Sequence, residues 1–272
     1  MAEPIVFFRG GALGDFLLTL PLLEVARGYG SKIKLHAMAK YFRLLDLNWN
    51  WLQKADIDAS TDLFSNLPRS SQVITFWEDL DWQKQAKSAG ASSTLALNPR
   101  PESGVHFVQL ATESLGWNLA TGWDNKSYLG DCWRGGDQTL WIHPGSGGEG
   151  KNLPLSYYVN IARQWIESRD DRKVVFSFGE ADKKLLENFK SGELVKFRRI
   201  EVFHILSLQG LRDEMVRCTD QFMGNDSGPG HMAANLGIPV QIGFRETNQS
   251  VWRPTGPRVI TYDWDSDSKR IL

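Results

Sequence analysis

The 272-residue sequence has few cysteines, no long apolar run and almost no net charge. Its two cysteines, Cys132 and Cys218, are too few for a disulfide framework or a metal cluster, which predicts buried thiols of a cytoplasmic protein. A formal net charge of -1 argues against a general nucleic-acid binder, which would be basic. No apolar run reaches the roughly 18 residues that would span a membrane. The first ten residues lack a basic start and a long apolar core, so we predict no signal peptide.

What the sequence contains instead is an alternation of apolar strand-like runs and helical runs, and this alternation occurs twice. The strand-like runs of the first half are 4–8, 32–38, 72–76 and 93–98. Those of the second half are 139–145, 173–179, 201–205, 221–224 and 239–244. Strands separated by helices predict parallel sheets covered on both faces. We therefore predict two doubly wound α/β domains, 1–133 and 139–272, joined within the Gly- and Asp-rich segment 118–138.

The loops that follow strands are the candidate sites, because ligands of such sheets bind beyond the carboxyl ends of the strands. The first of these turns is "GGALGD" (10–15), in which Asp15 begins a helix. Asp15 can complement the helix dipole, which the pattern alone favours, or it can act as a general base on a hydroxyl. Arg9 is either a surface charge or a residue that tunes Asp15 and holds an anionic substrate.

The second turn, "HPGSGGEGK" (143–151), is rich in glycine directly after a strand. The turn contains Ser146 and Gly147. Its glycines let backbone N–H groups approach an oxyanion closely, and Lys151 offers a mobile charge for phosphate. The alternative is a flexible surface loop with one solvated lysine. The loop is not a Walker-type phosphate loop, because Asn152 follows Lys151 where that motif has Ser or Thr.

The third turn lies in "MGNDSGPGHMAANLGIPV" (223–240), where a strand leads at once into a helix. The unpaired N–H groups at the start of a helix suit a phosphate, with Ser227 and Gly228 at that position. The alternative is ordinary capping, since Asn, Asp and Ser cap helices and Gly forms turns. His231 either lies near a phosphate and braces the turn, or is a buried helix-packing residue.

The segments "GALGDFLLTLPLL", "HPGSGGEGK" and "MGNDSGPGHMAANLGIPV", followed by "VWRPTGP", resemble in this order glycosyltransferase family 9. This is the heptosyltransferase family of lipopolysaccharide assembly. The resemblance implies a GT-B fold, with two Rossmann-like domains facing each other across a cleft. It implies an acceptor-side N-terminal domain and a C-terminal domain that binds a nucleotide sugar, ADP-heptose in the characterised members.

Carried over to this sequence, the resemblance implies that Asp15 is the catalytic base and that Arg9 is its basic neighbour. Ser227 and Gly228 would hold the diphosphate, Asp226 would bond sugar hydroxyls, and Glu180 would bond the ribose. For Glu180 the alternative is an ordinary acid in the first turn of a helix. The complete donor site implied in this way is Ser146, Gly147, Lys151, Glu180, Asp226, Ser227, Gly228 and His231.

The expected function is inverting transfer of a heptose-like sugar from a nucleotide diphosphate to a glycan or lipopolysaccharide-type acceptor. We expect the donor to be ADP-linked. We expect no cofactor and no metal, because no D-x-D pair lies at the end of a predicted strand. We interpret the D-x-D letters in "DWDSD" (263–267) as a solvated tail. We expect a cytoplasmic protein without a nucleic-acid partner, and leave open a peripheral contact with the inner membrane surface. The alternatives are a nucleotide-sugar hydrolase or epimerase of GT-B fold, and a degenerate member that only binds a nucleotide or glycan.

Several features depart from the family pattern. In "KNLP" (151–154), Leu153 replaces the family's aromatic residue. The chain stops soon after "VITYDWD" (259–265), so the C-terminal helix that usually crosses back in this fold is expected to be absent or vestigial. "NWNW" (48–51) is the best candidate for an acceptor platform, with core packing as the alternative. The candidate basic acceptor face, which can equally be a plain solvated surface, consists of Lys32, Lys34, Lys40 and Arg43.

Overall fold

The computed structural model describes residues 2–59, 62–102 and 104–264. The chain divides into two compact units, and the boundary in the sequence lies between Trp123 and Asp124. Each unit is a parallel sheet flanked by helices, which confirms the predicted pair of doubly wound α/β domains. No helix in these described ranges is both long and apolar enough to cross a bilayer.

The first unit contains a five-stranded parallel sheet. Its strands are β1 (Ile5–Phe8), β2 (Ile33–Ala37), β3 (Gln53–Asp56), β4 (Ser71–Thr75) and β5 (Ala91–Ala96). Its helices are α1 (Leu13–Ala26), α2 (Ala39–Phe42), α3 (Leu80–Ser88) and α4 (Phe107–Ser114). The spatial order is β3-β2-β1-β4-β5. The central strand β1 is apolar and buried at every position, as expected for a parallel strand covered on both faces.

The second unit contains a six-stranded parallel sheet in the order β11-β10-β9-β6-β7-β8. Its strands are β6 (Thr139–His143), β7 (Lys173–Phe178), β8 (Ile200–His204), β9 (Gln221–Asn225), β10 (Val240–Phe244) and β11 (Val259–Asp263). Its helices are α5 (Leu155–Ser168), α6 (Lys183–Lys190), α7 (Leu208–Cys218), α8 (Gly228–Asn235) and α9 (Gln249–Trp252). Helix α5 buries residues at helical spacing against the sheet, namely Tyr158, Ile161, Ala162 and Ile166.

Both sheets have a position where the strand order reverses, and in open α/β sheets ligands bind beside such a position. In the first unit the reversal lies between β1 and β4, and in the second it lies between β6 and β9. The loop that follows β1 contains Arg9, and the loops that follow β6 and β9 contain Lys151 and Asp226. The topology therefore places these candidate residues where each sheet is best suited to bind a ligand.

The segment 124–133 is part of the second unit, whereas the sequence predicts it at the end of the first domain. The backbone N–H of Leu129 donates to Asn235 O at 3.1 Å, and that of Cys132 donates to Leu236 O at 2.9 Å. These bonds attach the segment to the end of α8. Its Gly- and Asp-rich composition shows that it is irregular, but not which sheet it packs against.

Two strands, β3 and β11, are absent from the predicted set, and both lie at an edge of their sheet. β3 reads "QKAD" and has two exposed residues, so it lacks the apolar run of a central strand. β11 ends at Asp263, close to the end of the described residues. The expected absence of a C-terminal helix concerns residues beyond Trp264, which lie outside the described residues, as do Asp265 and Asp267 of the D-x-D letters.

Candidate functional site

The turn between β1 and α1 brings Arg9 and Asp15 into contact. Arg9 Nη2 lies 2.9 Å from Asp15 Oδ1, and the backbone N–H of Ala12 donates to Asp15 Oδ2 at 2.9 Å. Gly11 has φ +105°, and a Cβ atom there would come within 2.5 Å of Asp15 Oδ2, so only glycine fits this turn. Asp15 therefore serves both as a helix cap and as the ion-pair partner of Arg9.

Arg9 is a buried residue rather than a surface charge. Its side chain is 3% exposed, whereas that of Asp15 is 33% exposed. The guanidinium lies 4.1 Å from the ring centre of Phe76 and 5.3 Å from that of Phe107. Burial lowers the pKa of Arg9 to about 10, although the charge of Asp15 opposes this shift. Asp15 is consequently the solvent-accessible member of the pair, and Arg9 orients it.

The two acceptor-side candidates of the first unit have other surroundings. Trp49 is 2% exposed and packs against Trp51 with ring centres 5.3 Å apart. The guanidinium of Arg27 covers the Trp51 ring at 4.7 Å. The "NWNW" aromatics therefore pack within the first unit, which favours the core-packing alternative.

The four basic residues of the first unit do not form one cluster. Lys32 and Lys34 lie at the start of β2, whereas Lys40 and Arg43 lie beyond its end. A five-residue strand spans roughly 15 Å, so the two pairs are at opposite ends of the sheet. Only Lys40 and Arg43 are at the end where ligands of parallel sheets bind.

In the second unit, Lys151, Asp226 and His231 form one charged cluster at the reversal between β6 and β9. Lys151 Nζ donates to Asp226 Oδ2 at 3.0 Å. His231 Nε2 lies 3.5 Å from the other carboxylate oxygen, Oδ1. The Asp226 and His231 side chains are 9% and 4% exposed, and that of Lys151 is 34% exposed. The lysine is therefore the accessible member of the cluster.

The environment of Asp226 stabilises its charged form. Burial alone would raise the pKa of this carboxyl. The hydrogen bond and charge of His231, the charge of Lys151 and the hydroxyl of Thr247 outweigh burial and hold the pKa of Asp226 well below its usual range. Asp226 is thus an ionised residue with donors on both oxygens, and its carboxylate fixes the positions of Lys151 and His231.

The glycine-rich loop after β6 is held by Asn225, the last residue of β9. Asn225 is fully buried, and its Nδ2 donates to Pro144 O at 2.7 Å. Its Oδ1 accepts from Tyr158 Oη at 2.7 Å and from the backbone N–H of Leu153 at 3.1 Å. One side chain therefore ties together both ends of the loop. The sequence predicts no role for Asn225. Its position directly before Asp226 is the one sequence feature that places it close to the site.

Within this loop, Ser146 is half-buried and Gly147 is exposed. Ser146 Oγ lies 2.6 Å from Asn152 Oδ1 and 2.9 Å from Gly148 O, so its hydroxyl braces the loop internally. Gly147 is exposed, with φ +73°. The loop ends in a single helical turn, Glu149–Lys151, which presents Lys151 to Asp226.

Helix α8 begins at Gly228, and Ser227 is its N-cap residue. The Ser227 side chain does not cap the helix; it is 7% exposed, and its Oγ has no hydrogen-bond partner within the described ranges. A buried hydroxyl without a partner is unusual in a folded protein. It lies at a helix N-terminus, where free N–H groups favour an anion.

A loop that the sequence does not predict as functional, residues 245–247 after β10, covers this site. Thr247 Oγ1 donates to Asp226 Oδ2 at 2.7 Å, and Arg245 Nη1 donates to Asn152 O at 2.9 Å. A Cβ atom at Gly150 would lie 2.0 Å from Glu246 Oε1, so the glutamate packs directly on this glycine. No local motif marks these residues, because their partners come from distant parts of the chain.

Glu180 follows β7, which neighbours β6 on the side away from β9. It is exposed and begins the single helical turn Glu180–Asp182 after β7. In the same turn, the buried Asp182 accepts a hydrogen bond from the backbone N–H of Gly179 at 2.7 Å and lies 3.8 Å from His143 Nε2. Burial lowers the pKa of His143, although Asp182 and the Ser177 carbonyl oppose the shift. This pair joins the end of β6 to the turn that follows β7.

The described ranges contain no group of three or more His, Cys, Asp or Glu side chains placed to hold a metal ion. Asp263, the first acid of the tail stretch, ends β11 and accepts a hydrogen bond from Gln249 Nε2. Lys151, which is 34% exposed, places a positive charge at the second unit's site.

Comparison with known proteins identifies the family. Residues 94–268 match the family described as glycosyltransferase family 9 (heptosyltransferase). The chain belongs to this family. The matched residues include both glycine-bearing turns of the second unit. The expected family is therefore confirmed by a match over more than half of the chain.

Individual relatives within and around the family are distant. Lipooligosaccharide heptosyltransferase 2 of Campylobacter jejuni is 24% identical over 136 residues, which are 48% of this chain and 41% of that protein. A relative from Haemophilus influenzae is matched over 33% of its length. The aligned regions thus span less than half of these curated relatives.

Solved structures show the shared fold. A glycosyltransferase family 9 structure from Veillonella parvula has a TM-score of 0.73 at 19% identity, over 97% of this chain and 88% of that one. The E. coli heptosyltransferase WaaC with ADP has a TM-score of 0.63 at 15% identity, over 96% and 93% of the two chains. The family 9 chain thus has the expected GT-B type fold, with two Rossmann-like domains.

Proposed function

We propose that this family 9 protein is an inverting glycosyltransferase. It moves a heptose-like sugar from a nucleotide diphosphate, ADP-linked by our expectation, to a glycan or lipopolysaccharide-type acceptor. The observation that carries the proposal is the cluster of Lys151, Asp226 and His231 at the sheet reversal of the second unit. The family match and the heptosyltransferase named among the relatives support the same activity.

The second unit supplies the donor site in this proposal. Lys151 Nζ is partly exposed and offers its charge to the diphosphate. The free hydroxyl of Ser227 and the N–H groups of Gly228 and Gly230 at the start of α8 offer hydrogen bonds to the same group. As the sugar–phosphate bond breaks, these donors stabilise the negative charge that develops on the departing nucleotide diphosphate.

The roles of the other donor-site residues follow from their surroundings. His231 braces the turn through Asp226 Oδ1, and Ser146 keeps the glycine-rich loop in shape beside Gly147. Asp226 bonds a sugar hydroxyl only where a lone pair of its carboxylate remains available. The exposed Glu180 is available to the ribose hydroxyls.

The first unit supplies the base. Asp15 accepts the proton of an acceptor hydroxyl, and the resulting nucleophile attacks the anomeric carbon as the nucleotide diphosphate departs. Inversion needs only this single displacement, so no enzyme nucleophile is required. Arg9 orients Asp15 by its contact at 2.9 Å, and the partial exposure of Asp15 leaves it open to a hydroxyl.

We also propose that transfer requires neither a cofactor nor a metal, because Lys151 and the amides of α8 provide the positive potential. One glycosyltransferase of similar fold, TibC from enterotoxigenic E. coli, is described as iron-containing, so the metal requirement needs a direct test. We place the protein in the cytoplasm, where nucleotide sugars are available, with its acceptor a glycan or lipid-linked glycan at the inner membrane surface.

A thermal-shift screen of nucleotide sugars tests the proposal. A ligand at 100 times its Kd should add roughly 2.7 kcal/mol of stability, and ADP-linked sugars should give the largest shift. Product analysis with and without a glycan acceptor then distinguishes the activities. Sugar release or epimerisation without an acceptor would indicate the hydrolase or epimerase alternative. Binding without any turnover would indicate the non-catalytic alternative.

A further inference from the structure

Thr247 contacts the same carboxylate oxygen as Lys151. Its Oγ1 donates to Asp226 Oδ2 at 2.7 Å, and Lys151 Nζ donates to Oδ2 at 3.0 Å. His231 Nε2 lies 3.5 Å from the other oxygen. A single buried oxygen therefore has two donors, one a charged ammonium on a flexible side chain and one a neutral hydroxyl on a short one.

These two donors differ in how freely they can leave. Lys151 is 34% exposed, and its long side chain can turn toward a ligand. Thr247 is held by its loop, in which Arg245 bonds the carbonyl of Asn152 and Glu246 packs on Gly150. Because the Asp226 side chain is only 9% exposed, an Oδ2 that lost both donors would be a buried charge without a hydrogen bond.

We propose that Thr247 is a positioning residue for donor binding: its hydroxyl keeps Asp226 Oδ2 hydrogen-bonded while Lys151 exchanges this carboxylate for the diphosphate of the donor. The inference rests on the proposed function, since it takes Lys151 as the diphosphate ligand. It adds that the affinity for the donor depends on a residue that itself does not touch the phosphates.

Removal of the hydroxyl has a specific expected effect. In Thr247→Val the side-chain shape is kept, and the unliganded protein retains the bond between Lys151 and Asp226. In the liganded protein, however, Oδ2 has no donor. Loss of a hydrogen bond to a charged group should weaken the affinity for a nucleoside diphosphate, so that its Kd rises about 10- to 100-fold. Binding of the nucleoside should not change, because it has no phosphate to attract Lys151.

The test is isothermal titration calorimetry on the full chain with ADP, UDP and GDP and the corresponding nucleosides. Thr247→Ser keeps the hydroxyl and should restore the parental affinity. Thr255→Val is the matched control, because Thr255 is fully buried and its Oγ1 has no hydrogen-bond partner among the described residues. It should leave the affinity for the diphosphate unchanged, and the melting temperature of every variant is measured alongside.

A double variant separates positioning from a purely structural role. In a Lys151→Ala background no ammonium has to leave Asp226, so the further change Thr247→Val should cause no additional loss of affinity. An additional loss there, or an equal loss for nucleoside and diphosphate, would overturn the inference. So would parental affinity in Thr247→Val while Lys151→Ala is weakened, which leaves the proposed function intact. If the parent binds none of the three diphosphates, the proposed function fails and the inference fails with it.

Discussion

Tyr158 Oη donates a hydrogen bond to Asn225 Oδ1 at 2.7 Å, although the two residues are 67 positions apart. Both side chains are fully buried, and Asn225 also bonds Pro144 and Leu153. This relationship joins α5 to the end of β9. It holds the glycine-rich loop against the turn that contains Asp226, so the geometry of the charged cluster depends on it.

Asn225→Ala should strongly destabilise the second unit. It leaves the Tyr158 hydroxyl, the Leu153 N–H and the Pro144 carbonyl without a partner, at a cost of about 3–5 kcal/mol in the free energy of unfolding. Urea denaturation followed by tryptophan fluorescence measures this change. Asn160→Ala, on the exposed face of α5, is the control and should cost no more than about 0.5 kcal/mol. A similar stability of the two variants would contradict the assignment of Asn225.

Lys151→Ala should weaken binding of a nucleotide sugar, and the loss should be larger for a nucleoside diphosphate than for the nucleoside. A charge-assisted contact to phosphate corresponds to about 10- to 100-fold in Kd. Calorimetry provides the measurement. Lys184→Ala is the control, because Lys184 is 76% exposed and pairs with the exposed Glu149 of the glycine-rich loop. Equal affinity of the parent and Lys151→Ala would show that the loop does not bind the phosphates.

The sequence predicts most of this fold because the central strands are continuous apolar runs and the helices that cover them have helical periodicity. Edge strands such as β3 escape prediction, since one side of an edge strand is free and its residues need not be apolar. The positions of the three turns were predictable as well, because each turn directly follows a central strand that the apolar pattern predicts. Their glycines mark the positions of close backbone approach.

The contacts within the site were less predictable than its location. Lys151 and Asp226 meet because β6 and β9 are neighbours in the sheet, and this strand order is not visible in local patterns. Thr247 contacts Asp226 from the loop after β10, the strand that pairs with β9. The burial of Arg9 likewise results from Phe76 and Phe107, which come from separate parts of the first unit.

Donor binding and transfer should survive EDTA. Lys151 and the N–H groups of α8 supply the charge that balances the diphosphate, so removal of divalent ions should leave the rate of transfer unchanged. The assay compares initial rates before chelation, after chelation and after dialysis. Complete loss of activity that Mg²⁺, Mn²⁺ or Fe²⁺ restores would show that a metal ion carries this charge instead.

His36 should make the first unit sensitive to acid. It is 6% exposed, its ring stacks on Phe8, and neither ring nitrogen has a partner in the described part of the chain. Burial, assisted by Lys34, lowers the pKa of His36 from 6.5 to about 4. As the pH falls from 6.5 to about 4, His36 takes up a proton in the unfolded chain before it does so in the folded one. Stability is therefore lost, by up to about 3 kcal/mol below pH 4.

The variant His36→Phe keeps the stacking and removes the titration. Its stability should change less than that of the parent between pH 6.5 and 4, as measured by urea denaturation at a series of pH values. His204→Phe, at an exposed histidine of the second unit, is the control. An identical loss of stability in His36→Phe and the parent would rule out His36 as the source.

The central claim is that the protein transfers a sugar with Asp15 as the base, and the turnover of Asp15→Asn tests it most directly. The asparagine can keep only one of the two bonds, to Arg9 or to Ala12, which should cost about 1–3 kcal/mol of stability. Turnover is therefore measured below the melting temperature of the variant, with donor affinity determined on the same samples. We predict a rate lower by about 10²–10⁴-fold with donor affinity unchanged. A rate close to that of the parent would contradict the claim, because transfer would then proceed without Asp15 as the base.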